Sequence, residues 1–167
     1  MKWDAICRHS HGPDYSAADE LVGFAADNGL AFHGHTLWWH EAVPAAYRES
    51  SEAHFAEAAL QHLDTTITRY AGRLASWDVV NEPPEPAHGR EDGLRRSQFL
   101  AALGSDYIAT AFSRAAVLDP TAVLVLNEMG LEYDLPEAEA KRRMMLSLLE
   151  RGSPEARPSP VSGSSPT

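Results

Sequence analysis

Two asparagine–glutamate pairs, Asn81-Glu82 and Asn127-Glu128, stand directly after short apolar runs of the sequence. The first pair is followed by Pro83-Pro84, which can neither continue a strand ladder nor sit in the interior of a helix. An amide beside a carboxylic acid, held where a strand ends, is suited to proton transfer and to hydrogen bonding with a substrate. The same residues could instead serve only as a turn or a helix cap, so this pattern alone leaves both interpretations open.

A third polar strand end, residues 33–40, combines three histidines with two tryptophans. Alternation along a strand puts His35 and Trp39 on one face, so the two side chains can line one cleft. Trp39 would stack on the C–H face of a sugar ring while His35 hydrogen-bonds a hydroxyl; the alternative is a core tryptophan with a satisfied histidine. A metal site on the three histidines is disfavoured because His40 has the opposite parity and no carboxylate stands at ligand spacing. We therefore predict no metal.

The segments that must position these side chains alternate between strand and helix patterns. The predicted strands are residues 30–39, 74–80 and 123–126, and the predicted helices are residues 16–28, a segment between Pro44 and Gly72, residues 94–118 with a break near Gly104-Ser105, and Pro136–Gly152. Ser16 is expected to cap the first helix, with Asp19 completing a capping box, and Ser105 to cap the piece after the break. Continuously apolar strands separated by helices predict an α/β fold with a parallel sheet.

Composition narrows the classes of function and of partner. The 167 residues are 44% hydrophobic and carry a formal net charge of −10, which argues against a nucleic-acid partner. No apolar run reaches membrane-spanning length, so no membrane partner is expected. The single cysteine, Cys7, excludes an internal disulfide. Residues 153–167 are rich in proline and serine and are predicted to be a disordered tail after one domain of residues 1–152.

The two glutamates at strand ends raise a specific chemical possibility. Adjacent strands lie about 4.8 Å apart, so Glu82 and Glu128 could be near neighbours at one edge of the sheet. Retaining glycosidases need two carboxyl groups about 5–5.5 Å apart, one as acid/base and one as nucleophile. Glu128 could equally be a group that only orients its neighbours, and spacing alone does not separate the two roles.

Four segments of the sequence resemble motifs of glycoside hydrolase family 10, the endo-1,4-β-xylanases, which are retaining enzymes on a (β/α)8 TIM barrel. Residues 77–82 read Trp-Asp-Val-Val-Asn-Glu, identical to the motif of the fourth barrel strand. Residues 34–40 are similar to the third-strand motif, residues 1–5 to the end of the second-strand motif, and residues 127–132 to the fifth-strand motif with departures. The resemblance implies a partial TIM barrel, roughly strands 3–5 with their helices plus the end of strand 2.

The resemblance also implies roles for individual residues. Glu82 would be the acid/base catalyst, which protonates the leaving glycosidic oxygen and later deprotonates water. The predicted substrate-binding residues are Lys2, His35, Trp39, His40 and Asn81. Asn127 and Glu128 would support the site, although Glu128 stands where the family usually has Asp and Met129 where it has Tyr. The implied partner is xylan or a xylooligosaccharide, and the mechanism requires neither a metal nor an organic cofactor.

The family's nucleophile is a glutamate of a seventh-strand motif that this sequence does not contain, so no nucleophile is predicted in this chain. Glu128 is not expected to replace it, because a nucleophile must face the opposite side of the sugar ring from the acid. A whole (β/α)8 barrel takes about 250 residues. We therefore expect an incomplete member, from a truncated or frame-shifted gene, that is weakly active or inactive.

Two further expectations follow from an incomplete barrel. Its open sheet edges are available for self-association. A non-catalytic carbohydrate-binding fragment is the alternative function. Any export signal would precede Met1, so the sequence does not assign a location, although the resemblance implies an extracellular or periplasmic parent enzyme.

Overall fold

The computed structural model describes residues 1–8 and 12–152, in which strands and helices alternate as predicted. The elements are α1 (Trp3–Ile6), α2 (Ser16–Asp27), β1 (His33–Gly34), β2 (Trp38–Trp39), α3 (Glu52–Tyr70), β3 (Ser76–Asn81), α4 (Gln98–Leu103), α5 (Tyr107–Leu118), β4 (Val123–Asn127) and α6 (Pro136–Gly152). Short 3-10 turns occupy His40–Ala42, Ala45–Tyr47 and Pro86–His88. The tail predicted to be disordered lies outside the described residues.

The sheet is parallel and is built around β3, whose side chains from Trp77 to Asn81 are all buried. β4 pairs along the whole of β3, while β1 pairs with its first half and β2 with its second half. All three pairings are parallel, which confirms the parallel sheet expected from the apolar strands. Because the carboxyl ends of parallel strands lie at the same edge of a sheet, the residues that follow β2, β3 and β4 meet at one edge.

The single strand predicted over residues 30–39 is wrong, because this segment forms two short strands. Between them the chain leaves the ladder: Leu37 N and the Thr36 hydroxyl both donate to the carbonyl oxygen of Asp78, at 3.0 and 2.9 Å. The His35–Thr36 peptide bond in this segment is cis. The interruption changes the alternation of side chains, so Leu37 is completely buried while His35 remains partly exposed.

Gly34 in β1 permits an unusually close approach to the central strand. A Cβ atom at this position would lie 2.2 Å from Cε3 of Trp77, whose side chain is completely buried. Any other residue would therefore force β1 away from β3. The close pairing brings the next residue, His35, within reach of the β3 side chains.

The helices cover the sheet through a core rich in aromatic residues. The apolar face of α3, which includes Phe55, is buried, and Phe99 of α4 packs edge-on against Phe55, with ring centroids 5.1 Å apart. Phe99 also stacks on Trp38 at 5.2 Å, which ties the helices to the end of β2. In α1, Trp3 stacks on Tyr47 at 5.2 Å, so the segment that carries Lys2 is fixed to this core.

Helix ends differ from the predicted caps in two places. Ser16 is the first residue of α2 rather than its cap, and its amide donates to Asp14 Oδ1 at 2.9 Å. Asp19 does not complete a capping box, because its carboxylate binds Arg69 and the Tyr70 hydroxyl. The predicted break at Gly104 is confirmed, but the N-cap position of α5 is Asp106 instead of Ser105. The bonds of Asp19 to Arg69 and Tyr70 therefore replace the local bond that a capping box would form.

Among residues 1–8 and 12–152, no helix combines the length and the apolarity that a membrane crossing would require. The outer edge of β4 has no strand partner within this part of the chain. Its side chains are half-buried, and that of Val123 is exposed.

Candidate active site

The end of β3 places Asn81 and Glu82 at the edge of the sheet where the three strands finish. Asn81 is buried, while Glu82 is half-buried and has a positive φ of 53°, in the left-handed region. The Glu82 amide donates to the carbonyl oxygen of Asn127 at 2.8 Å. The backbone therefore turns sharply after Asn81 while remaining attached to the neighbouring strand.

The side chain of Glu82 faces the wall predicted from residues 33–40. The indole Nε1 of Trp39 donates to Glu82 Oε2 at 3.1 Å. The rings of Trp39 and His35 have centroids 6.0 Å apart, and Lys2 Nζ lies 4.5 Å from the Trp39 ring centroid. The structure thus brings together four predicted residues from three separate segments of the sequence.

Asn127 connects the ends of β3 and β4. Its Nδ2 donates to Asn81 Oδ1 at 2.7 Å, so the amide group of Asn81 is oriented by the neighbouring strand end. Because this bond uses Oδ1 of Asn81 as an acceptor, Nδ2 of Asn81 remains as a hydrogen-bond donor.

Asp78 was not predicted as a site residue, yet it holds two histidines. One oxygen, Oδ2, lies 2.7 Å from His35 Nδ1 and 3.0 Å from His33 Nε2, and the Asp78 side chain is only 6% exposed. The bond to Nδ1 fixes the orientation of the His35 ring and directs its Nε2 away from Asp78. The available signal was a carboxylate inside the otherwise apolar buried run of residues 77–80.

Glu128 has a buried side chain and forms an ion pair with Lys141, a contact that the sequence did not predict. Its Oε1 lies 2.7 Å from Lys141 Nζ and accepts from the Met129 amide at 3.1 Å, and its side chain is fully buried. Burial raises the pKa of Glu128, the Lys141 ammonium lowers it, and the charge of Glu82 raises it slightly. This ion pair favours the supporting role expected for Glu128 over a role as a free nucleophile.

His40 and Arg95 lie behind Glu82. With Glu82, Tyr107 and core residues they enclose a cavity of about 10 Å³, enough for roughly one water molecule. Burial lowers the pKa of His40, and the Arg95 guanidinium lowers it further. His40, predicted to bind substrate, lines this cavity beside Glu82 and Arg95. Arg95 was missed because residues 94–118 were predicted to be helical, whereas Arg95 lies in the loop before α4, which begins at Gln98.

The described part of the chain contains no group of three histidine, cysteine, aspartate or glutamate side chains placed to hold a metal ion. The predicted residues that contact one another at this edge are Lys2, His35, Trp39, His40, Asn81, Glu82 and Asn127, whereas Glu128 contacts Lys141 and the Met129 amide. Of these, Glu82 and Glu128 are carboxylic acids with different surroundings: Glu82 bonds to a neutral indole, whereas Glu128 is paired with a cation.

Comparison with known proteins identifies the family. The model of glycosyl hydrolase family 10 matches residues 1–160. Endo-1,4-beta-xylanase B of Paenibacillus barcinonensis is 35% identical over 160 residues, covering 92% of this chain and 47% of the relative. Endo-1,4-beta-xylanase 3 of Hypocrea jecorina is 37% identical over 134 residues, covering 79% of this chain and 37% of the relative.

Solved structures agree with the sequence relatives. A thermostable xylanase mutant from Cellvibrio japonicus superposes with a TM-score of 0.77 at 35% identity, covering 92% of this chain and 46% of that one. Xylanase 10B from Thermotoga petrophila, in complex with xylobiose, gives 0.75 at 31% identity with the same coverage of both chains. A mutant of P. fluorescens xylanase A, in complex with xylopentaose, gives 0.78 at 34% identity.

The chain spans about half the length of the relatives it matches. Its parallel sheet is not closed within the described residues, and it superposes on one part of their TIM barrels, which confirms the predicted partial (β/α)8 barrel. A family model that matches almost the whole chain, together with these superpositions, establishes that the chain belongs to glycosyl hydrolase family 10.

Proposed function

We propose that this chain carries the acid/base side of a retaining β-1,4-xylanase site, with Glu82 as the proton donor. The observation that supports the proposal most directly is the placement of the Glu82 carboxyl group beside Trp39 at the carboxyl edge of a parallel sheet. In barrels of this kind the catalytic groups lie at that edge. The relatives that match the chain are xylanases, and the substrate class proposed here is xylan and its oligosaccharides.

The surrounding residues support distinct steps of such a reaction. Trp39 and His35 form a wall on which a xylose ring can lie, and Asn81 Nδ2 can donate to its 2-hydroxyl group. Lys2, held against the Trp39 ring, would contact the sugar beyond it. Glu82 then gives a proton to the glycosidic oxygen as the bond breaks, and later takes one from the attacking water. No step among these residues needs a metal or an organic cofactor.

Binding without cleavage is the second candidate function. It is supported by the wall of Trp39 and His35, whose ring centroids lie 6.0 Å apart and which can hold a sugar ring without any chemical step. In that case Trp39, His35 and Asn81 would bind xylooligosaccharides, and Glu82 would take no part in chemistry.

We also propose that residues 1–152 are the part of the chain that belongs to the catalytic domain, with residues 153–167 as a tail.

Replacing Glu82 by Gln separates the two functions. We expect the Glu82→Gln variant to release reducing ends from xylan at least about a hundredfold more slowly than the wild type, because a positioned acid contributes about 10²–10⁴-fold. Xylotriose binding measured by calorimetry should be nearly unchanged. Glu91→Gln, which alters an exposed carboxylate in the following loop, is the matched control. Binding with no hydrolysis in the wild type would identify a binding fragment, and equal hydrolysis by both proteins would exclude Glu82 as the acid.

We further infer that the outer edge of β4 mediates self-association. Its backbone groups have no strand partner among the described residues, and the exposed Val123 offers apolar surface beside them. We expect sedimentation velocity to show a monomer that associates as the concentration rises. Val123→Lys should shift this equilibrium towards the monomer, because a charge on an edge strand opposes pairing. Concentration-independent sedimentation of the wild type would contradict the inference.

A further inference from the structure

The backbone of Glu82 adopts a conformation that the residue does not favour by itself. Its φ of 53° lies in the left-handed region, which costs a residue with a Cβ atom roughly 1–2 kcal/mol. The proline that follows adds a steric restriction of its own on the preceding backbone. Neighbouring groups must therefore hold this turn, and any group that does so also determines where the Glu82 carboxyl group points.

Both peptide groups of Glu82 are held, but by different parts of the chain. Its amide donates to Asn127 O, which belongs to β4. Its carbonyl oxygen accepts from the Nε of Arg95 at 3.1 Å, a contact between residues far apart in the loop that follows β3. The first contact is part of the sheet, whereas the second depends on a single side chain.

The Arg95 side chain is fixed at both ends. Its Nη1 lies 3.1 Å from Glu85 Oε2, and the arginine side chain is only 16% exposed. Its own amide donates to Pro83 O at 2.7 Å, and the Glu85 amide donates to Gly93 O at 3.0 Å, so the loop folds back on itself as a narrow hairpin. The loop therefore holds both the backbone and the guanidinium group of Arg95 beside Glu82.

We propose that Arg95 is the positioning residue for Glu82: it clamps the left-handed turn and so holds the Glu82 carboxyl group against Trp39. This inference rests on the proposed function for its catalytic meaning, but its structural content is independent of hydrolysis. The planar fork of arginine serves two acceptors at once, the Glu82 carbonyl through Nε and the Glu85 carboxylate through Nη1. A lysine has a single nitrogen on a flexible stem, so it cannot place separate donors at the positions of both Nε and Nη1.

The indole proton of Trp39 provides a direct measurement, because Trp39 Nε1 donates to Glu82 Oε2. We expect Arg95→Met to move this signal, in a nitrogen–proton correlation spectrum, most of the way towards its position in Glu82→Ala. Arg95→Lys should move it part of the way. The indole signals of Trp3, Trp38 and Trp77 report whether the core is intact and should stay in place. Arg96→Met, an exposed neighbour, is the matched control and should leave all four signals unchanged.

Glu85→Gln provides a second and milder test of whether Arg95 positions Glu82. This variant tests the same inference if Arg95→Met does not fold. It leaves the guanidinium present but loosens its anchor, so the Trp39 signal should move in the same direction by a smaller amount. In a chain that hydrolyses xylan, Arg95→Lys should lower kcat about tenfold or more with KM nearly unchanged, because misplacement by about 1 Å can cost about a hundredfold. A Trp39 signal that stays in place in the folded Arg95 and Glu85 variants would overturn the inference, even if Glu82 proves to be the acid.

Discussion

Lys141→Met is expected to lower the free energy of unfolding by about 3 kcal/mol at pH 7, since removing one partner of a buried ion pair leaves the other charge uncompensated. The Glu128 side chain is fully buried and Lys141 is 20% exposed, with 2.7 Å between Oε1 and Nζ. Burial already raises the pKa of Glu128, and losing Lys141 raises it further. The carboxyl group can then take up a proton, so the loss should be smaller at pH 5 than at pH 7.

Two further variants separate the ion pair from other effects in urea unfolding experiments. Glu128→Gln combined with Lys141→Met removes both charges and should recover most of the lost stability. Arg143→Met breaks the pair with Glu139 on the same helix, which is 3.5 Å long and has side chains 71% and 59% exposed, and should cost less than about 0.5 kcal/mol. If Lys141→Met costs no more than Arg143→Met, Glu128 is not the buried anion described above.

His62 is expected to make the fold sensitive to acid well above the pH at which most carboxylates titrate. Its side chain stacks on Trp3, with ring centroids 5.1 Å apart, and burial lowers its pKa to about 3. The folded state therefore keeps His62 neutral, whereas the unfolded chain binds a proton below about pH 6.5. Stability that is present above pH 6.5 is lost as the pH falls, at about 1.4 kcal/mol per pH unit, until the folded pKa is reached.

His62→Leu should remove this part of the pH dependence. Between pH 7 and pH 5, the wild-type free energy of unfolding should fall by about 2 kcal/mol more than that of His62→Leu, as measured by urea titration at each pH. His54→Gln, on the exposed side of the same helix, should keep the wild-type slope. Parallel pH profiles of wild type and His62→Leu would show that His62 is protonated, or free to become so, inside the fold. Because Trp3 lies beside Lys2, loss of the contact between His62 and Trp3 would also disturb the wall proposed to bind sugar.

The sequence alone predicted the order of the elements and most of the residues that meet at the sheet edge. Apolar periodicity located α3 and α6, and apolar runs located β3 and β4 within two residues at each end. The motif of residues 77–82 identified Asn81 and Glu82 as candidate site residues, since a polar pair that directly follows a buried strand lies at the carboxyl edge of the sheet. The positions of these elements are local features, so neighbouring residues were sufficient to predict them, whereas the roles of Lys2 and His40 came only from the family resemblance.

Only the tertiary structure determined which charged groups contact the residues at the sheet edge. Asp78 with His35, Arg95 with Glu82, and Lys141 with Glu128 are pairs from different elements or loops of the fold. Their contact depends on strand register, on the path of a loop and on the rotation of a helix, none of which leaves a local pattern in the sequence. The broken strand over residues 30–39 and the unused capping box at Ser16 were decided in the same way. The sequence by itself determined where the candidate acid is, and only the folded chain determined what holds it, because burial and pairing arise when separate segments pack together.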